Sequence, residues 1–184
     1  MKTTSTMKRW GFAVLATGAI WIGALSPAAT AGPPAAPPGA RVQVTFQNPQ
    51  NFAEEREFGM QDRLLHKNYL ETLRAYLVKR ATPMLATDQG LQITITDIKL
   101  AGAYEPWRGP QWGYVRMLRD IYPPRIDLNF ILTDGKGNVV RQGARKLHNL
   151  GYLTSGPNLP GDTDPLRYDK ALLDRWLRRG TLQP

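Results

Sequence analysis

The residue types best suited to chemistry are concentrated between Tyr104 and Arg125. There Trp107, Trp112, Tyr114 and Tyr122 interleave with Arg108, Arg116, Arg119 and Arg125 around four prolines. Guanidinium forks beside aromatic faces suit flat, anionic or sugar-like groups, held by stacking and bidentate hydrogen bonds. The same aromatics could instead form a small core that packs a long loop against a sheet edge, with Pro123-Pro124 fixing entry to the next strand. Both readings stand on the sequence, although loops of this length without a function are uncommon.

Other chemistry is thinly supplied. His66 falls within an apolar helical stripe between Leu65 and Leu70, and His148 lies far off in a strand. With no cysteine in the chain, neither histidine has the company that a zinc site or a hydrolytic triad requires. No metal or cofactor is expected. Asp169 is flanked on the inward face of the last helix by Leu166, Leu172, Leu173, Trp176 and Leu177. A carboxylate in such a place needs a partner, because an unpaired buried charge is costly. Its expected role is structural, as an ion pair with Arg125 or Arg145 of the sheet. Asp97 closes a strand in register with Ile93 and Ile95, just before the apolar parity switches to Ile98 and Leu100, which a β-bulge explains. Asp97 and Asp127 differ in parity relative to the apolar faces, so they are not expected to face one another as an acid–base pair.

The elements that must position these residues follow from apolar spacing. Arg41–Phe46 alternates Val42, Val44 and Phe46 with polar residues, the period of a half-buried strand. From Gln61 to Arg80 the period lengthens, and Leu65, Tyr69, Leu70, Leu73, Tyr76 and Leu77 form one stripe of an amphipathic helix. Pro83 stops it. Leu91–Thr96 alternates again, as does Arg125–Thr133, and Asp134-Gly135-Lys136-Gly137-Asn138 turns the chain into a return strand over Val139–Leu147. Val115–Ile121 has the makings of an extra short strand. Asp164-Pro165 is an N-cap followed by a first-turn proline, opening a helix that runs to Arg179 and ends at Gly180. The order is β-α-β-β-β-α. It implies an α+β two-layer sandwich: a mixed sheet of about four to five strands with two helices on one face and a polar face left open.

The beginning of the chain speaks to its destination. Lys2, Lys8 and Arg9 precede an unbroken apolar run from Gly11 to Leu25, then Pro27 and the small-x-small triplet Ala29-Thr30-Ala31. These are the parts of a cleavable secretory signal, with the cut expected after Ala31. The run is shorter than the ~20 residues needed to cross a bilayer, and there is no cysteine to acylate, so no stable membrane anchor is expected after cleavage. The division is a signal peptide at 1–31, a Pro/Gly/Ala-rich tether at 32–40, one domain at 41–180 and a tail at 181–184. Of the formal charge of +9, three units leave with Lys2, Lys8 and Arg9. What remains favours anionic partners over nucleic acid in an exported protein. The sequence does not set an oligomeric state.

Three stretches, Glu105-Pro106-Trp107-Arg108-Gly109-Pro110, Asp120-Ile121-Tyr122-Pro123-Pro124-Arg125-Ile126-Asp127-Leu128 and Tyr168-Asp169-Lys170-Ala171-Leu172-Leu173-Asp174-Arg175-Trp176-Leu177, resemble the DUF3016 family of exported proteins of Gram-negative bacteria. The likeness runs from about Arg41 to Arg179. It implies a periplasmic location and carries no catalytic set with it; Asp169 stands where the family pattern has glutamate. The reading that combines residues and resemblance is a non-enzymatic binding or interaction module of the envelope. Its candidate contacts are Trp107, Arg108, Trp112, Tyr114, Arg119, Tyr122 and Arg125, and its partner is an envelope protein or an anionic envelope component. The alternative is a hydrolase acting on an envelope polymer through Glu105, Asp120 and Asp127.

Overall fold

The computed structural model describes residues 41–57, 68–155 and 162–181. The expected signal peptide and tether, Leu65, His66 and residues 182–184 lie outside them.

Alternation of valines with Gln43 and Thr45 produces β1 (Val42–Phe46). A tight turn leads into α1 (Ala53–Glu57), a short helix that its run of charged residues does not announce. Helix α2 (Tyr69–Ala81) buries Tyr69, Leu73, Leu77 and Ala81, residues four apart that share one face. Strand β2 (Gly90–Lys99) extends beyond the expected Thr96. The long segment after it contains a two-residue strand, β3 (Ala103–Tyr104), paired antiparallel with β4 (Arg116–Met117) inside the stretch where an extra strand was expected. Then come β5 (Arg125–Thr133), β6 (Val139–His148), the single turn α3 (Tyr152–Ser155) and α4 (Arg167–Trp176).

The main sheet has the order β1-β2-β5-β6. β1 lies parallel to β2, and the remaining pairs are antiparallel. Ile93, Ile95, Ile126, Leu128 and Phe130 project from one face of the sheet into a core shared with Leu73 and Leu77 of α2 and Leu172, Leu173 and Trp176 of α4. Burying each such side chain contributes about 1.5–3 kcal/mol, which is why the two helices stack on this face. The opposite face presents Gln92 and Asn129 to solvent. This is the mixed-sheet, two-layer α+β sandwich that the apolar spacing implies.

The last helix differs from expectation at both ends. The regular α-helix begins at Arg167, three residues after Asp164, and Leu166 occupies the N-cap position without a side-chain cap. Asp164 still accepts the Leu166 N–H through its carboxylate at 2.9 Å and the Arg167 N–H through its carbonyl at 3.2 Å. It therefore organises a turn ahead of the helix instead of capping it. At the other end the chain continues through a π-helical turn over Leu177–Thr181 and does not stop at Gly180. The exposed edge of the core is closed by an arginine: the Arg145 guanidinium lies 5.0 Å from the Phe130 ring centre, in the space left by Gly143.

Candidate functional site

The segment that leaves β2 is steered by one glycine. Gly102 has φ +82, and a Cβ there would lie 2.7 Å from the Met117 carbonyl oxygen, so no side chain fits. Its N–H donates to the Tyr122 carbonyl at 3.0 Å, which closes the base of the loop.

Three buried carboxylates hold this base: Glu54, Glu105 and Asp169. Glu54, from α1, accepts the Leu100 N–H at 2.9 Å and pairs with Arg116, while Lys99 lies 3.6 Å from it and pairs with Glu57. Arg116 also donates to the carbonyls of Ala101 at 3.3 Å and Gly102 at 3.0 Å, and it stacks 4.9 Å from the Tyr104 ring centre. Burial opposes the charge of Arg116, but the charge and hydrogen bond of Glu54 outweigh it and hold the guanidinium above its usual pKa. The next residue along the backbone, Ala101, donates its N–H to Asp169 at 3.1 Å. Two successive amides are thus accepted by carboxylates from two different helices.

Asp169 corrects the expectation of an ion pair with Arg125 or Arg145. Its side chain is fully buried, one oxygen takes the Ala101 N–H, and the other has no hydrogen-bond partner. Arg125 is engaged instead by Asp97 at 2.6 Å, and Arg145 covers Phe130. Burial, with the charge of Glu54 adding to it, pushes the Asp169 carboxyl up to about 7, partly offset by the Ala101 N–H and by Arg116.

Glu105 does the same work further out. Its Oε1 lies 3.2 Å from Arg119 Nε and accepts the Tyr122 hydroxyl at 3.2 Å. Its Oε2 lies 2.8 Å from Arg108 Nε, although that N–H is not aimed at the oxygen. One buried carboxylate therefore gathers two guanidinium groups and a phenol, leaving the cluster a net positive charge at the surface. Tyr152 adds a further tie by donating to the Arg119 carbonyl at 2.9 Å.

Of the expected contact residues, Trp107 and Tyr114 are 72% and 68% exposed and Trp112 is 40% exposed, and the apolar neighbours Val115, Leu118 and Ile121 are exposed too. These aromatics do not form a small core; the packing beneath the loop is carboxylate, arginine and tyrosine. Arg108 and Arg119 are each 44% exposed, with their inner edges on Glu105. Tyr122 points inward, donating to Glu105, while Arg125 is 47% exposed and pairs with Asp97 instead of Glu105.

The carboxylates of the hydrolase reading sit in different settings. Glu105 is buried against cations, Asp120 is exposed, and Asp127 sits in β5. The expectation for Asp97 and Asp127 is also corrected. The register shifts between Ile95 and Asp97, and the bulge places Asp97 directly opposite Asp127. Asp97 is nevertheless occupied, accepting the Ala53 N–H at 2.6 Å as well as pairing with Arg125. Sequence reasoning missed Glu54, because the run Ala53-Glu54-Glu55-Arg56-Glu57 reads as a solvated face and offers no local sign that one of its acids is buried; Arg116 was singled out with the loop arginines, but its inward pairing with Glu54 was not.

A search of curated proteins returns no match. The model of the DUF3016 family, described as a protein of unknown function, matches residues 40–179, a span that takes in the sheet, both long helices and the whole loop with its carboxylate base, and the chain belongs to that family.

Proposed function

We propose that this chain is an exported, non-enzymatic binding module of the cell envelope, and that the loop face carrying Trp107, Arg108, Trp112, Tyr114 and Arg119 holds an anionic envelope component. One observation carries the reading: aromatic and apolar side chains stand in solvent beside two arginines that a buried Glu105 anchors from beneath. A cluster of exposed apolar groups on a soluble domain marks a contact surface. Anchored guanidinium groups lose little freedom when they bind, which favours bidentate recognition of carboxylate or phosphate. The basic n-region and apolar run at the start of the chain support export, and among the described residues no helix is long and apolar enough to cross a membrane.

The test is recovery of bound material from an envelope extract by the tagged protein and by its Trp107→Ala and Arg108→Ala variants, each checked for native circular dichroism. Material retained by the parent, lost in both variants and released as salt screens the arginines supports the reading. Equal recovery by all three proteins refutes it, and a retained protein indifferent to salt would assign the face to an apolar protein contact instead.

A further inference from the structure

The outer face of α4 carries a second feature, separate from the loop. Arg167, Lys170, Asp174 and Arg178 follow one another at three- and four-residue spacing, with Arg175 beside them, and so line one broad stripe that runs from α4 into the π-helical turn. In the middle of that stripe stands Ala171, whose small side chain leaves a depression among long ones. The result is an open cleft of about 690 Å³, floored by Ala171, walled by Tyr76 of α2 and extended by Arg179 of the π-helical turn. Its volume lies within the ~300–1,000 Å³ of ordinary ligand sites.

The charges in the cleft do not cancel. Five cations line it against three carboxylates, and the carboxylates are already engaged. Asp174 is held in a two-point contact by Arg80, with Nε at 3.0 Å and the terminal nitrogen at 3.2 Å, while Arg178 stands off at 3.6 Å. Asp164 pairs with Lys170 at 2.5 Å. Asp162 accepts the Asp164 N–H at 2.9 Å. Arg167 spends its guanidinium on the Asp164 carbonyl and the Tyr168 ring, and no carboxylate stands against Arg175 or Arg179 among the described residues. Cations in the last turn of a helix are favoured by its dipole, which accounts for some of the arginines near the C-terminal end. It does not account for Arg167 and Lys170 in the first turn, nor for the concavity between the two groups.

We propose that this cleft is a binding site for a phosphate-bearing ligand, seated over Ala171 with its anionic group between Arg175 and Arg179. Arginine forks match phosphate geometry in two-point contacts. With Arg80 and Lys170 already holding the nearby acids, an entering anion meets positive charge without displacing an ion pair. Tyr76, whose ring lies 5.4 Å from the Lys170 ammonium, closes one side of the cleft, where the uncharged part of a sugar phosphate or a lipid headgroup would rest.

Isothermal titration of the protein with inorganic pyrophosphate at low ionic strength tests this. The parent is expected to bind saturably, one ligand per chain. Ala171→Leu changes no charge but fills the floor, and it is expected to abolish binding. The double variant Arg175→Ala/Arg179→Ala, which breaks no ion pair among the described residues, is expected to weaken binding by about tenfold or more. Lys136→Ala, which removes one positive charge at the exposed turn between β5 and β6, outside the cleft, is expected to leave it unchanged, which separates the cleft from general surface charge. Absence of saturable binding in the parent overturns the proposal, as does parent-like affinity in either the leucine or the double-alanine variant, since the anion would then be resting on the general surface charge. Sedimentation with phosphatidylglycerol vesicles, in competition with pyrophosphate, distinguishes a lipid headgroup from a soluble phosphate ester.

Discussion

Replacing Asp169 with asparagine should make the protein more stable at alkaline pH while changing little at mildly acid pH. The carboxyl titrates near its ordinary 3.8 in the unfolded chain and at about 7 in the folded one, because burial disfavours its charge. The folded state therefore binds the proton more tightly, and stability falls as pH rises from about 4 to about 7, where the folded carboxyl finally ionises. At ~1.4 kcal/mol per pH unit the full loss is roughly 4 kcal/mol, of which the interval from about pH 5 to about pH 8 covers ~3 kcal/mol. Other shifted carboxyls do not interfere. Asp134 is held low by its hydrogen bonds from Asn138, and Asp164, despite partial burial, is held low by Lys170 and the Leu166 N–H. Their contribution is present above the ordinary carboxylate range and disappears only in more acid solution. Asparagine keeps an acceptor for the Ala101 N–H and has no charge to bury. Urea unfolding of parent and Asp169→Asn at both pH values measures the effect. The parent should lose stability between the two, and the variant should gain on it by about 2–3 kcal/mol. If the variant is weaker than the parent by the same margin at both pH values, the buried carboxylate is stabilised as an anion and the reasoning is wrong.

Two further outcomes follow from the loop base. Glu105→Gln leaves Arg108 and Arg119 without their common anion and, because both are 44% exposed and screened by solvent, is expected to cost about 1 kcal/mol in denaturant unfolding and to speed hydrogen exchange of the loop amides around Tyr122. Gly102→Ala forces a side chain against the Met117 carbonyl at a left-handed position, and is expected to lower stability by about 1–3 kcal/mol in a thermal melt.

The sheet and helices were legible because burial of a single face imposes a period on local sequence. Val42 and Val44, Ile93 and Ile95, and Leu128 and Phe130 declare their strands, and even the bulge at Asp97 shows in the parity switch to Ile98. The position of Asp169 was legible for the same reason, through the leucines around it. Its partner was not, because an acceptor for a backbone N–H can come from anywhere the chain passes, and any residue has such an N–H to offer. The base of the loop was hidden likewise: Glu54 and Arg116 meet across a long separation, and nothing beside Glu54 distinguishes it from a solvated charge. Whether Trp107 and Tyr114 pack or stand in solvent was open on the sequence because aromatic residues do either, and their exposure goes with a loop base filled by Glu105 and its arginines.

The parallel pairing of β1 has a kinetic meaning. β5 and β6 join through a tight turn and can meet within microseconds of each other's appearance, whereas Val42 finds Leu91 only after the intervening helices are in place and the long closure has been made. β1 should therefore be the last strand to dock and the first to detach, and its amides the least protected of the sheet. Until it arrives, the flank of β2 stands open as a template, vulnerable to pairing with another unfinished chain.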